Sequence, residues 1–186
     1  MYIRLLLAVL LTLLGVIWWA SRPDPALPAG DTVDREQLQD YFVQQLELRQ
    51  FDEQGALRHV LRAQQLQHYL ESGITRLALP EYILYADKEP SLRIEAAQGT
   101  LSRDQSLLQL QGETDIHWQG DETQPPMRIL TSDLNIQPQR EYAETAAAVT
   151  VTSAENWIES VGMQAWLKSP GRIRFLAQTR AHYVAQ

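Results

Sequence analysis

Histidines and carboxylates are the side chains of this chain that could do chemistry. His59, His68, His117 and His182 lie far apart, and none sits in an H-x-x-x-H or other metal-ligand spacing. The chain has no cysteine, so neither a disulfide framework nor a thiolate metal site can form. It contains no G-x-S-x-G, no P-loop and no G-x-G-x-x-G. Glu95, Glu113, Asp115, Asp133, Glu144 and Glu159 are the acids from which a glycosidase-like pair would be drawn, since two carboxylates on neighbouring strands can converge from anywhere. They fall mostly on the polar positions of alternating segments, where solvated charge is the ordinary outcome. The sequence points to no catalytic residue, no metal and no cofactor. An anchored hydrolase stays open only through such a converging pair.

The elements that would position any site begin with an apolar leader. The 186 residues, 45% hydrophobic, suffice for one domain with a core plus a tail or anchor. A net charge of −7 argues against a nucleic-acid partner, which calls for a basic face. Leu5–Ala20 carries no charged side chain, and Leu5 to Leu14 and beyond can cross most of a bilayer core of about 30 Å. Trp18 and Trp19 occupy the place where a cleavable signal needs small residues, and tryptophan favours the membrane interface. Residues 1–20 therefore read as a retained single-pass anchor rather than a cleaved signal. The short N-terminal side and Arg4 favour a cytoplasmic N-terminus with everything after Ala20 exported. Residues 21–36 hold three prolines, Pro23, Pro25 and Pro28, and read as an extended tether.

Residues 37–186 show short alternating apolar runs separated by turn residues and no long helical stripe, which is an all-β pattern. Leu46 and Leu48 run into Asp52-Glu53-Gln54-Gly55, whose glycine suits a hairpin turn, and Leu57 and Leu61 leave it. Four segments then superpose: Leu61-Arg62-Ala63, Ile94-Glu95-Ala96, Ile129-Leu130-Thr131 and Ile158-Glu159-Ser160. Each is followed by a second strand, at Leu77–Leu79, Leu108–Leu110, Ala143–Thr145 and Ile173–Phe175. A short helix is the alternative for the alanine-rich Ala143–Val149, but alternation and the β-branched Val149 and Val151 favour strand. Ile116, Ile129, Val149, Ile158, Ile173 and Phe175 extend the apolar face begun by Leu57, Leu61, Ile94, Leu108 and Leu110. With no helix to cover it, that face must be buried sheet against sheet, as a two-walled roll. The interior is then either a closed core or a trough for a lipid chain.

Phe51–Ala63 also reads F-D-x-x-G-x-L-x-x-x-L-x-A, followed by His68-Tyr69 and Pro80–Tyr85, behind a single anchor and a short tether. This combination resembles the LptC family, the membrane-anchored component of the bacterial lipopolysaccharide transport bridge, over essentially the whole chain. The resemblance implies an open β-jellyroll whose interior receives lipopolysaccharide acyl chains, beside an inner-membrane ABC transporter that hydrolyses the ATP. It implies no enzymatic activity and no cofactor. The N-terminal edge of the roll would meet the transporter. The C-terminal edge, around Arg172–Val184, would continue the sheet into the soluble periplasmic bridge protein. Gly55 and Gly162 match glycines important in that family. An adaptor that joins two envelope proteins by strand addition, without binding lipid, is the other reading.

Overall fold

The computed structural model describes residues 39–120, 125–168 and 171–184. The expected anchor and tether fall on residues outside these. Among the described residues no helix is long and apolar enough to cross a membrane, and the one helical turn is a 3-10 turn at Pro138–Arg140.

The rest is strand. β1 (Gln39–Phe51) and β2 (Leu57–Tyr69) form the expected hairpin, followed by β3 (Thr75–Ala78), β4 (Glu81–Ala86), β5 (Glu89–Leu101) and β6 (Leu108–Trp118). β7 (Met127–Ser132), β8 (Asn135–Gln137), β9 (Tyr142–Ser153), β10 (Asn156–Trp166) and β11 (Arg172–His182) complete one antiparallel 11-stranded sheet. β1 pairs only with β2 and β11 only with β10, so the sheet is open and both edges are unpaired among the described residues. Alanine-rich Ala143–Val149 lies within β9 and is strand.

The repeat of the sequence is a repeat of walls. Leu61, Tyr82, Ile94, Ile116, Ile129, Val151 and Ile158 stand directly opposite one another, strand by strand, across the first wall. Leu108, Ile136, Ala143, Ala165 and Ile173 do the same across the second. Each superposable segment therefore opens a strand pair in one wall, and its partner segment lies in the other. The long strands β2, β5, β6, β9, β10 and β11 take part in both walls. Two apparently single strands are split where they bend, β3/β4 at Leu79 (φ +49°) and β7/β8 at Asp133 (φ +51°).

The bends lie along one seam. Gln45, Gly112, Gly162 and Gln178 have φ of +54°, +76°, +80° and +49° within β1, β6, β10 and β11. The pairing register slips beside them, at Val161/Met163 and Glu159/Val161, and in β5 at Ala96/Gln98. Such bulges turn a strand but release backbone groups from the ladder. Short polar side chains take up those groups. Gly112 N–H donates to Asp133 Oδ1 at 3.1 Å, and Asp133 N–H to Gly112 O at 3.2 Å. Thr131 Oγ1 donates to Ala148 O, Thr145 Oγ1 to Ser132 O and Ser160 Oγ to Ala177 O, at 2.9, 2.8 and 3.1 Å. These hydroxyls are buried, and no buried side-chain nitrogen or oxygen among the described residues lacks a partner. Burying them unpaired would cost about 1–3 kcal/mol each, so the seam fixes where the roll folds.

The β1–β2 turn is held by Asp52, whose carboxylate accepts N–H bonds from Gln54 (3.0 Å) and Ala56 (2.8 Å). Gly55 adopts φ +82° with open space where a Cβ would stand. Gly55→Val is therefore expected to cost about 1–3 kcal/mol through the backbone alone, with no steric contribution. Urea titration of Gly55→Ala beside Gly55→Val checks this, because both should lose stability and the native state of neither should repack.

Candidate functional site

The groups that could do chemistry are dispersed. His68 bonds Thr75 Oγ1 at 2.9 Å and stacks on Tyr41, and His182 stacks on Trp157. His117 Nε2 lies 3.1 Å from Asp115. Arg128 also grips Asp115 at 2.7 Å and holds its carboxyl below the usual range. Glu144 accepts the Tyr142 hydroxyl, and Glu95 and Glu159 are exposed. No His/Cys/Asp/Glu group that could hold a metal occurs among the described residues.

His59 alone is buried, tilted against Tyr82 at 5.4 Å between ring centroids. Burial, and then Arg58 beside it, holds its imidazole below the ordinary histidine range. The unfolded chain takes up this proton at higher pH than the folded one, so stability is full above about pH 6.5 and falls as pH drops toward the folded pKa. His59→Phe, which keeps a ring against Tyr82, should flatten the stability profile between about pH 7.5 and 5. An unchanged slope would mean that His59 does not carry this dependence.

Between the walls lies a cavity of about 380 Å³. Ile94, Ile116, Ile129, Val151 and Ile158 face it from the first wall, and Met163, Ala165, Ile173 and Phe175 from the second. Its rim carries Trp118 and Met127 on one side, and Trp166, Leu167 and Arg172 on the other. Among the described residues no Asp, Glu or His lines it. The cavity occupies the β4–β11 part of the roll. Toward β2 and β3 the walls close, and Leu61, Leu66, Leu77, Leu108, Leu134 and Ile136 pack into a continuous core.

Arg58 on β2 forms an ion pair with Glu141, whose carbonyl accepts the N–H of Leu167 at 2.7 Å. β2 and β9 are five steps apart along the sheet (β2, β4, β5, β6, β7, β9), roughly 24 Å at about 4.8 Å per strand. The pair therefore reaches across the roll rather than along it. Both partners are partly exposed, so the contact is a weak tie of about 1 kcal/mol or less.

Of the residues expected to line the interior, Ile94, Ile116, Ile129, Ile158, Ile173 and Phe175 meet at the cavity. Leu61, Leu108, Leu110 and Val149 are buried in the packed core instead. Leu46 packs against the core from the edge strand, Leu57 is half-buried beside the turn, and Leu48 stays 43% exposed. Met127, Met163, Trp166, Leu167 and Arg172 line the cavity without having been among the residues expected there. Met163 is hidden because the Gly162 bulge shifts the inward parity by one, from Ile158 and Ser160 to Met163 and Ala165. Met127 lies two residues before Ile129, and alternation alone could have found it.

An apolar space between two walls of one sheet, with a tryptophan on either side of its mouth, suits an aliphatic chain. The family model described as "Lipopolysaccharide-assembly, LptC-related" matches residues 5–184, nearly the whole chain. The chain belongs to the LptC family. Membership of LptC ties the protein to lipopolysaccharide transport, and LptC is a transport component rather than a family of enzymes. Compared with curated proteins, the chain finds no match. The glycines expected to matter in LptC both take positive φ, Gly55 at the hairpin turn and Gly162 at the seam in β10.

Proposed function

We propose that this LptC-family protein receives lipopolysaccharide from the inner-membrane ABC transporter, holds its acyl chains between the walls, and passes it to the soluble periplasmic bridge protein. Residues 1–20 anchor it in the inner membrane with the N-terminus cytoplasmic, residues 21–36 tether it, and residues 37–186 form the periplasmic jellyroll. The transporter hydrolyses the ATP, so this chain needs no cofactor and performs no reaction. The observation that carries the reading is the apolar cavity between the walls. At about 380 Å³ it sits near the low end of small-ligand pockets, which run from about 300 Å³ upward. A lipid with several chains needs more room, so the walls part further when it is loaded, and the weak Arg58–Glu141 tie is the polar contact that must open.

Unpaired edges support the partner assignment, because an open strand recruits another by backbone hydrogen bonds. β1 is the edge assigned to the transporter and β11 the edge assigned to the bridge protein. A purely structural adaptor would show throughout the roll the packing seen between β2 and β3, and would lack the cavity. Purification of the full-length chain from detergent extracts tests the proposal. Transporter subunits and lipopolysaccharide should come with it. Recovery of protein partners with no lipid would favour the adaptor.

A further inference from the structure

We propose that Arg172, at the rim of the cavity on edge strand β11, binds the anionic phosphate headgroup of the lipid whose chain occupies the cavity. This rests on the reading of the cavity as an acyl-chain site. Among the described residues, Arg172 is the only charged one lining that space, and no carboxylate lines it. In a chain of net charge −7, a cation alone at an apolar mouth runs against the general balance.

Its place on the lining of the apolar cavity sets it apart from the other arginines of the described residues. Arg49, Arg58, Arg62, Arg93 and Arg128 each have a carboxylate within ion-pair distance. Arg172, like Arg76, Arg103, Arg140, Arg174 and Arg180, has none among the described residues. Its guanidinium lies over the Trp166 ring, 4.5 Å from the centroid, and Trp166 is itself set edge-on to Tyr142. Stacking engages the face of the guanidinium and leaves its N–H edges available, the arrangement that suits two-point bonding to phosphate oxygens.

The physics of the ligand matches. A phosphate cannot follow an aliphatic chain into an apolar cavity without losing its hydration, so it must stay at the mouth. With the chain directed toward Ile94 and Ile116, the headgroup rests at the β10–β11 side. An acidic protein thereby holds an anionic lipid through one local cation. The lipid arrives at the edge strand with its polar end already placed there.

Equilibrium dialysis of the purified full-length chain against dodecyl phosphate and dodecanol, both below micelle-forming concentrations, tests the proposal. The wild type should hold dodecyl phosphate about fivefold more tightly than dodecanol, the worth of a solvent-exposed charge pair. Arg172→Gln should bring the two to equality without changing dodecanol binding, and Arg172→Lys should keep part of the preference. A phosphate preference that survives Arg172→Gln, or no preference in the wild type, overturns the headgroup site while leaving the acyl-chain site intact. Failure of both probes to bind overturns the acyl-chain reading itself, and the headgroup site with it.

Discussion

Gly162→Val is expected to destabilise the protein by roughly 2–4 kcal/mol and to release β11 from β10. Gly162 has φ +80°, which a β-branched residue adopts only under strain. Its Cβ would also stand 3.0 Å from Leu176 Cδ1 and 3.2 Å from Leu176 Cβ. The Leu176 side chain is half-exposed and can swing away, but its Cβ moves only with the backbone of β11. Gly162 sits where β10 changes walls, between register slips on both of its sides. Relief of the clash therefore falls on the pairing that holds the C-terminal edge. Gly112→Val isolates the backbone part, because Gly112 shares the positive φ but has open space at its Cβ position. Urea titration should place Gly112→Val between the wild type and Gly162→Val. Hydrogen exchange should show lost protection in β11 only for the latter. A Gly162→Val protein as stable as the wild type would remove the seam from the account of the fold.

Ile158→Trp should abolish lipid retention, by tenfold or more, with a change in stability of about 1 kcal/mol or less. Ile158 lines the cavity and is only partly buried, so the larger ring grows into empty volume rather than into packed neighbours. Overpacking of a filled core would instead cost about 1–3 kcal/mol. Ile136→Ala is the complementary change. Ile136 is fully buried and does not itself line the cavity, and its truncation should cost about 2–5 kcal/mol while leaving lipid retention per folded molecule unchanged. Lipid co-purified per folded protein, together with denaturant midpoints, separates the two effects. If Ile158→Trp retained lipid as the wild type does, the cavity would not be where the chain lies.

The walls were legible because their residues alternate in long unbroken rows. Ile94, Ile129 and Ile158 could be superposed in the sequence, and they stand in one continuous cross-strand row. The seam was not legible. Leu79, Asp133, Gln45 and Gln178 take positive φ without being glycine, so no local signal marks them. Where the chain bends, parity slips, and Met163 is lost to a reading by alternation. How the interior divides between packed core and open cavity depends on volumes summed across two walls, which no single strand reports. Leu61 and Ile158 look alike in sequence, yet Leu61 is packed among neighbours and Ile158 borders empty space. The Arg58–Glu141 tie joins residues that only the folding of the sheet brings together.

Site-specific photo-crosslinking in cells tests most directly whether lipid travels between the walls. A photoreactive residue at Ile94, Ile129 or Phe175, which face the cavity, should trap lipopolysaccharide, whereas one at Arg128 or Thr150, exposed or half-buried on the opposite face of the same sheet, should not. Equal labelling on both faces, or labelling confined to the outer face, would contradict the account.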